Sequence, residues 1–170
     1  MRTSSAWPIV LLLGAACAPQ HEPTAEGRIT SMRPFTVVEL RPSDGSLVDQ
    51  LNREAARAIA WQQRPFVELT SRWCDQCHWL DYGLRDPQLS EAFSGTYIIR
   101  LDVDRWNARM SRTGLDYYAR IIPAFVALDG AGNLTRDWID VRSWRLSTPD
   151  FAAGPLREFF QSAAFATAAP

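Results

Sequence analysis

Two cysteines three residues apart, Cys74 and Cys77, constrain this chain more than any other feature of its sequence. They follow residues 66–70, a short apolar run that predicts a buried strand. If a helix begins at the first cysteine, this spacing places both sulfurs on one face and within bonding distance. Free N–H groups at a helix N-terminus stabilise an anion, so Cys74 would be the nucleophilic thiolate and Cys77 the resolving cysteine. The pair therefore predicts a reversible disulfide between a strand and a helix.

Three other uses of the cysteine pair stay open at this point. A structural zinc site needs about four ligands, and besides the cysteines only His78 and the distant His21 are available. A purely structural disulfide that closes so short a loop gains little stability from chain entropy. The pair and His78 also form a literal CxxCH, the attachment motif of c-type haem, with Met110, Met32 or His21 as the second axial ligand. A haem fold would be mostly helical, whereas the surrounding sequence is rich in strand-like segments.

Strand-like and helix-like patterns alternate after about residue 34. Strands are predicted at residues 36–40, 66–70, 97–103, 124–128 and 134–139. Helices are predicted at residues 47–62, after the first cysteine, at residues 86–93, across residues 104–120 and from Pro155 onward. The last two strands flank a Gly-rich turn and predict a hairpin. This order predicts an α/β fold with one mixed central sheet and helices on both faces.

The N-terminal segment is typical of an export signal. Residues 1–17 hold one arginine and then an apolar run that is too short to span a bilayer and ends in small residues. Cys17 stands where a bacterial lipoprotein carries its lipid, and the stretch LLLGAAC resembles a lipobox, although Gly14 occupies the usual place of Leu. Cleavage after Ala18 would instead discard Cys17. A cytosolic protein with an apolar start is the remaining alternative.

Composition and charge define the rest of the organisation. Residues 18–34 are polar and proline-containing, which predicts a flexible linker, and residues 35–166 are predicted to form a single domain. A chain of 170 residues with 46% hydrophobic residues can bury a sizeable core. The net charge is −1 and the basic residues are scattered, so no nucleic-acid partner is expected. We expect a periplasmic protein that contacts the membrane through a lipid anchor if Cys17 is lipidated.

Further motifs surround the cysteine pair in a fixed order: a strand carboxylate, a tryptophan, a downstream acid, an Asp-Pro-Gln segment and a proline loop. In this chain they are Glu68, Trp73, Asp81, residues 85–89 and residues 121–130. Over residues 65–133 the sequence resembles thioredoxin-like domains, most closely the C-terminal periplasmic domain of DsbD-type disulfide reductases. The resemblance implies the thioredoxin fold.

The resemblance also implies two acid–base residues. Glu68, six residues before Cys74, matches the buried carboxylate that takes the proton from the second cysteine in thioredoxins. A carboxylate beneath an apolar strand has a raised pKa, which suits a proton acceptor near neutral pH. Asp81 matches a second acid of the DsbD-type group, where Glu is more usual. An exposed strand end for Glu68 and a plain surface charge for Asp81 are the alternatives.

A substrate-facing surface follows from the same resemblance. Pro123 would be a cis-proline that faces the disulfide. The backbone of Ile122 would pair with an extended segment of the substrate, and Trp73 would flank the rim of the active site. Trp73 and Ile122 are therefore the predicted substrate-binding residues.

In terms of function, the resemblance implies a thiol-disulfide oxidoreductase that works through Cys74 and Cys77 and needs no dissociable cofactor and no metal. The acidic Asp75 beside Cys74 disfavours its thiolate, which favours a more reducing couple and a protein-disulfide reductase. Its substrates would be exported proteins with disulfides. A separate membrane electron donor is expected because the sequence shows no transmembrane relay segment. Two alternatives stay open: a c-type haem electron-transfer protein, and a non-catalytic thioredoxin-like assembly or chaperone module.

Overall fold

Six strands form one mixed sheet in the computed structural model of the chain, which describes residues 28–32, 34–142 and 148–163. The strands are β1 (Arg28–Met32), β2 (Thr36–Glu39), β3 (Arg64–Thr70), β4 (Thr96–Asp102), β5 (Ala124–Leu128) and β6 (Leu134–Asp140). Their order across the sheet is β1-β2-β4-β3-β5-β6. The three strands β2, β4 and β3 run parallel, whereas β1, β5 and β6 each run antiparallel to the neighbour they pair with.

Six α-helices cover the two faces of this sheet within the described residues. They are α1 (Leu47–Ala60), α2 (Asp75–Gly83), α3 (Pro87–Ala92), α4 (Val103–Trp106), α5 (Leu115–Tyr118) and α6 (Pro149–Ser162). One face packs against α1, α4 and α5, and the other packs against α3 and α6. The helix α2 contributes to the buried clusters on both faces: Cys77 packs on the α1 side and Leu80 packs on the α3 and α6 side. With the parallel crossovers followed by an antiparallel hairpin, this is the thioredoxin fold, and the predicted fold class is confirmed.

The central strands β3 and β4 are buried on both faces. Successive side chains point to opposite faces of the sheet and pack in different buried clusters. Phe66 and Ile98 pack on the α3 and α6 side, and Val67 and Ile99 pack on the α1 side. A strand covered on both faces has an almost continuous apolar sequence, which explains why both segments stand out in the sequence. The parallel register brings the carboxyl ends of β3 and β4 together, with Thr70 beside Asp102.

The predicted helix across residues 104–120 is wrong. The structure has the short helices α4 and α5 instead, separated by a 3-10 turn at Asn107–Arg109. Asn107 has a φ of 28° and Gly114 a φ of 78°, and a continuous right-handed helix accommodates neither value. The weak hydrophobic periodicity of this polar stretch reflects the interruption.

Two further elements differ from the sequence-based expectations. Residues 28–32 of the predicted linker form the edge strand β1, which pairs with β2 through its backbone and needs no continuous apolar pattern. The last helix begins at Pro149, so Pro155 lies inside it and does not start it. The proline removes the donor for the carbonyl of Phe151, a residue that is 59% exposed, where water can replace the lost N–H.

Several expectations concern residues outside the described part of the chain. The signal segment 1–17, Cys17 and His21 lie there, as do residues 164–166 at the end of the predicted domain. Among the residues that the structure describes, no helix combines the length and the apolar character that a membrane span requires.

Candidate active site

The cysteine pair lies at the N-terminus of α2, where the chain turns after β3. Cys74 is the N-cap residue of the helix, and a disulfide joins it to Cys77 with their Cα atoms 5.2 Å apart. The backbone N–H of Cys77 donates to Cys74 Sγ at 3.1 Å. An N–H directed at this sulfur stabilises negative charge on it when the disulfide is open. The predicted strand–disulfide–helix arrangement is therefore present.

Both cysteines are almost closed to solvent. Cys74 is 3% exposed and Cys77 is 1% exposed, and both belong to the buried cluster on the α1 face of the sheet. Trp106 of α4 and Met110 belong to the same cluster. A thiolate at this position is therefore surrounded by apolar groups on its inner side and is stabilised mainly by the helix N-terminus.

Trp73 forms an exposed rim beside the buried disulfide. Its side chain is 66% exposed, and its indole Nε1 donates to Asp104 Oδ1 at 3.2 Å. The same carboxylate accepts a hydrogen bond from Ser71 Oγ at 2.6 Å. These two hydrogen bonds, from Ser71 first and Trp73 second, lower the pKa of Asp104. The tryptophan is therefore held by an ionised carboxylate on the neighbouring segment.

Asp104 is a residue of this site that the sequence analysis missed. It stands 31 residues after Trp73, so no local pattern connects the two. The connection comes from the sheet: β3 and β4 are parallel neighbours, so Ser71 and Asp104 follow strand ends that meet at one edge. Only the strand order and register could have placed it in the site.

Glu68 is buried within β3 and does not lie at an exposed strand end. It is 2% exposed, and its Oε2 accepts a hydrogen bond from Arg100 Nε at 2.8 Å. Burial raises the pKa of Glu68; the positive charge of Arg100 opposes this shift, and the negative charge of Asp81 adds to it. A buried carboxylate with a raised pKa therefore lies in the strand that leads to the cysteines.

Asp81 lies on α2, one turn after Cys77, with its side chain 41% exposed. Arg100 Nη2 donates to Asp81 Oδ1, so a single guanidinium contacts both acids singled out in the sequence. Burial alone would lower the pKa of Arg100, but the charges of Glu68 and Asp81 raise it above its ordinary value. Arg100 was not a predicted site residue; the available signal was a single basic residue inside the mainly apolar segment YIIRLDV.

The loop before β5 carries the two remaining predicted site residues. The Ile122–Pro123 peptide bond is cis. Ile122 is 6% exposed and belongs to the same buried cluster as Cys74 and Cys77. The carbonyl of Pro123 accepts a hydrogen bond from the backbone N–H of Val141 at 3.1 Å, which ties this loop to the end of β6.

The imidazole of His78 contacts the backbone of the active-site turn. Its Nε2 lies 2.7 Å from the carbonyl oxygen of Arg72, and the two cysteine sulfurs next to it bond each other. A c-type haem would instead require both sulfurs for covalent thioether bonds to the porphyrin and the imidazole as a ligand of its iron. In the described ranges, no group of three or more His, Cys, Asp or Glu side chains is placed to hold a metal ion.

No protein-family model and no curated protein matches the chain. Among solved structures, a mutant thioredoxin from Halobacterium salinarum is 16% identical over 73% of this chain and 90% of its own, with a TM-score of 0.46. A disulphide isomerase from Xylella fastidiosa is 17% identical over 66% and 87%, with a TM-score of 0.45. A thioredoxin from Trichomonas vaginalis is 27% identical over 61% and 83%, with a TM-score of 0.39. The narrower likeness to DsbD-type reductases stays a prediction.

Proposed function

We propose that this chain is a thiol-disulfide oxidoreductase that reduces disulfides of other exported proteins. The observation that carries the proposal is the Cys74–Cys77 disulfide at the N-terminus of α2, with the N–H of Cys77 directed at Cys74 Sγ. This geometry favours a thiolate on the first cysteine and brings the second within bonding distance of it. The exposed indole of Trp73 and the cis-proline loop at Pro123 support it as surroundings for a polypeptide substrate.

The proposed reaction starts from the reduced protein. The Cys74 thiolate attacks one sulfur of the substrate disulfide, which forms a mixed disulfide and releases the first substrate thiolate. Cys77 gives its proton to Glu68, and the resulting thiolate attacks Cys74 Sγ. This step closes the Cys74–Cys77 disulfide and releases the second substrate thiolate. Two electrons thus pass from the protein to the substrate, whose sulfurs take up protons from water.

A reducing direction is supported by the charge beside the nucleophile. Asp75 is exposed and directly follows Cys74, so its carboxylate disfavours the thiolate of the reduced form. Burial of both sulfurs in an apolar cluster acts in the same direction. A less stable reduced form gives a more negative reduction potential, which is the property of a reductase.

The proposal also includes a cellular compartment and a redox partner. The export signal and the lipobox-like stretch ending at Cys17 support a periplasmic protein anchored by lipid. In that compartment the disulfide must be reduced again, and we assign this step to the dithiol of a separate membrane electron donor. No cofactor other than the disulfide takes part in the proposed cycle.

The first test is the reduction potential of the Cys74–Cys77 pair, measured by thiol trapping in graded dithiothreitol and glutathione buffers. A value of about −270 mV is expected for a reductase, and a value of about −120 mV would indicate an oxidant. A pair that never titrates would be a structural disulfide. The visible spectrum of the same sample adds a further outcome, because a Soret band would establish the haem alternative.

Mixed-disulfide trapping tests the catalytic roles directly. A Cys77→Ser variant keeps the nucleophile but lacks the resolving sulfur, so it should accumulate mixed disulfides with exported proteins. The matched Cys74→Ser variant should accumulate none. Equal trapping by both variants would overturn the assignment of Cys74 as the nucleophile. If Cys74→Ala leaves the cellular phenotype intact while changes around Ile122 and Trp73 abolish it, the chain is a non-catalytic assembly or chaperone module.

The anchor is tested separately from the redox chemistry. Cells expressing the full chain are labelled with a radioactive fatty acid, and the protein is recovered from the membrane fraction. Label that is lost in a Cys17→Ser variant is the expected result. An unlabelled protein whose mature chain starts after Ala18 would replace the anchor with a free periplasmic form.

A further inference from the structure

A three-membered ion cluster connects the sheet to the active-site helix. Arg100 on β4 donates to Glu68 on β3 at 2.8 Å and, through a second nitrogen, to Asp81 on α2. The side chains differ in exposure: Glu68 is 2% exposed, Arg100 is 21% exposed and Asp81 is 41% exposed. The cluster thus runs from the interior to the solvent through a single guanidinium.

The fold fixes this arrangement. Glu68 and Arg100 are register partners on the parallel strands β3 and β4, so their side chains leave the sheet side by side. Asp81 follows Cys77 by one helical turn, so the position of the guanidinium is tied to the helix that carries the disulfide. A shift of α2 therefore changes the position of Arg100 relative to Glu68. A change of charge at one carboxylate likewise changes the electrostatic environment of the other.

The charges of the cluster do not balance. Two carboxylates face one guanidinium, so the cluster carries one excess negative charge when all three groups are ionised. A partly buried site with such an excess takes up one proton more readily than a balanced ion pair does. Burial is the largest cause of the raised pKa of Glu68, so an added proton is favoured on this deeper carboxylate.

The neighbouring strands leave this balance unchanged. On β5 the register partner of Glu68 is the apolar Phe125. On β2 the register partner of Arg100 is Glu39, whose charge is already paired with Arg105 at 2.9 Å. Arg100 lowers the pKa of Glu68 and Asp81 raises it, so Asp81 is the charge that opposes the effect of Arg100 on the buried carboxylate.

We propose that Arg100 is a positioning residue for the proton transfer, dividing its charge between Glu68 and Asp81 so that the buried carboxylate can accept the proton of Cys77. This inference rests on the proposed function. When Cys77 gives up its proton, Glu68 becomes neutral, and the positive charge of Arg100 stays compensated by Asp81. The cysteine thiolate is then consumed by the new bond to Cys74, and the proton held by Glu68 returns to water.

This assignment predicts opposite effects from removing the two partners of the buried acid. Removing the charge of Asp81 leaves the guanidinium to Glu68 alone, which should lower the pKa of Glu68. Removing the guanidinium leaves two facing carboxylates and no cation, which should raise it. A residue that only held the fold together would not produce shifts of opposite sign.

The test follows the carboxyl carbon of Glu68 by ¹³C NMR as a function of pH in the oxidised protein, with Glu68→Gln to assign the signal. Asp81→Asn should shift the midpoint down and Arg100→Met should shift it up, each by about one pH unit or more, with Arg100→Lys in between. The matched control Arg142→Met breaks an exposed ion pair with Asp140, away from the cluster, and should leave the midpoint in place.

The readout separates this inference from the proposed function. Because the oxidised protein is titrated without substrate, the result stands even if no reductase activity is found. Midpoints that do not move, or that move in the same direction in both variants, would overturn the role of Arg100 even in an active enzyme. If Arg100→Met does not fold, the downward shift in Asp81→Asn, at a site that is already partly exposed, decides the question alone.

Discussion

Trp73 stands at the boundary between a buried disulfide and solvent, and its orientation depends on one carboxylate. Asp104 accepts hydrogen bonds from both the indole of Trp73 and the hydroxyl of Ser71. A side chain that is already oriented loses less conformational entropy when a substrate covers it. In the proposed function, the hydrogen-bonded tryptophan is therefore already oriented when a protein substrate binds.

Replacing Asp104 by alanine should raise the KM for a protein substrate and leave the reduction potential unchanged. Freeing one large side chain costs about 0.5–1.5 kcal/mol on binding, which corresponds to about a twofold to tenfold increase. Steady-state kinetics with a disulfide-containing protein measures this change. Asp116→Ala, which removes an exposed acid on α5, is the matched control. A lower kcat at unchanged KM would show that Asp104 acts in the chemical step instead.

Glu68 makes the stability of the protein depend on pH. Its pKa is raised in the folded state by burial, so the folded protein binds more protons than the unfolded chain above the ordinary carboxyl range. Stability from this group is therefore fully present below the unfolded-state pKa and is lost as pH rises through the folded-state pKa. The sign is opposite to that of a carboxylate stabilised by an ion pair alone.

A Glu68→Gln variant should lack this loss. Its free energy of unfolding, relative to that of the unmodified protein, should increase from about pH 4 to about pH 8. Urea unfolding of the oxidised proteins across this range measures the difference. The control Glu158→Gln changes an exposed acid on α6 and should give a flat difference. A difference that falls with pH would mean that Arg100 outweighs burial at this site.

At the scale of the elements, the junction between α4 and the following 3-10 turn stores local strain. Asn107 has a φ of 28° and a ψ of −118°, a conformation that favours glycine. An Asn107→Gly variant should therefore be more stable, by about 1 kcal/mol. The neighbouring Ala108→Gly substitution should instead destabilise the protein. Thermal unfolding of both variants checks the prediction, and a loss of stability in both would show that Asn107 makes a compensating contact.

A second junction joins the β5–β6 turn to α1. Gly132 has a φ of 87°, and an added Cβ would lie 2.7 Å from the Cα of Asn52. Gly95 also has a positive φ, of 73°, but an added Cβ meets nothing within 4 Å. Gly132→Ala should therefore cost about 1–3 kcal/mol more than Gly95→Ala. Chemical denaturation measures both costs, and equal values would show that α1 moves aside without penalty.

The elements that sequence patterns predicted are those whose pattern reflects burial. The strands β3 and β4 and the helix α1 present continuous or periodic apolar residues, which identify them without knowledge of the sheet. The edge strand β1 pairs through its backbone, so its side chains carry no such signal. The segment from α4 to α5 depends on positive φ values, which residue types specify only weakly.

The same reasoning applies to the candidate site. The spacing of the cysteine pair predicted the disulfide, and the resemblance to thioredoxin-like domains indicated the two acids near it in the sequence. Arg100 and Asp104 come from the next strand and the segment after it, and they meet the site only because β3 and β4 are parallel neighbours in a specific register. A contact of that kind requires the topology as well as the sequence.

At the scale of the whole molecule, the proposed function couples the direction of electron flow to folding. Oxidised and reduced protein, folded and unfolded, form a closed thermodynamic cycle. The redox state in which the folded protein is more stable is therefore the state that folding favours. Reduction places a thiolate in an apolar cluster. The disulfide also lowers the conformational entropy of the unfolded chain, which stabilises the oxidised fold by about 2 kcal/mol, the low end of the usual range because the loop is short. Both effects favour the oxidised form.

The oxidised protein should therefore unfold at a higher urea concentration than the reduced protein at neutral pH, by about 2 kcal/mol or more in free energy. Parallel denaturation with and without dithiothreitol measures the difference, and a Cys74→Ser, Cys77→Ser double variant should be insensitive to the reductant. The opposite order would mean that the helix N-terminus stabilises the thiolate more than burial and Asp75 destabilise it. Folding would then favour the dithiol and shift the potential toward that of an oxidant, so the sign of this one difference determines which direction of catalysis the fold supports.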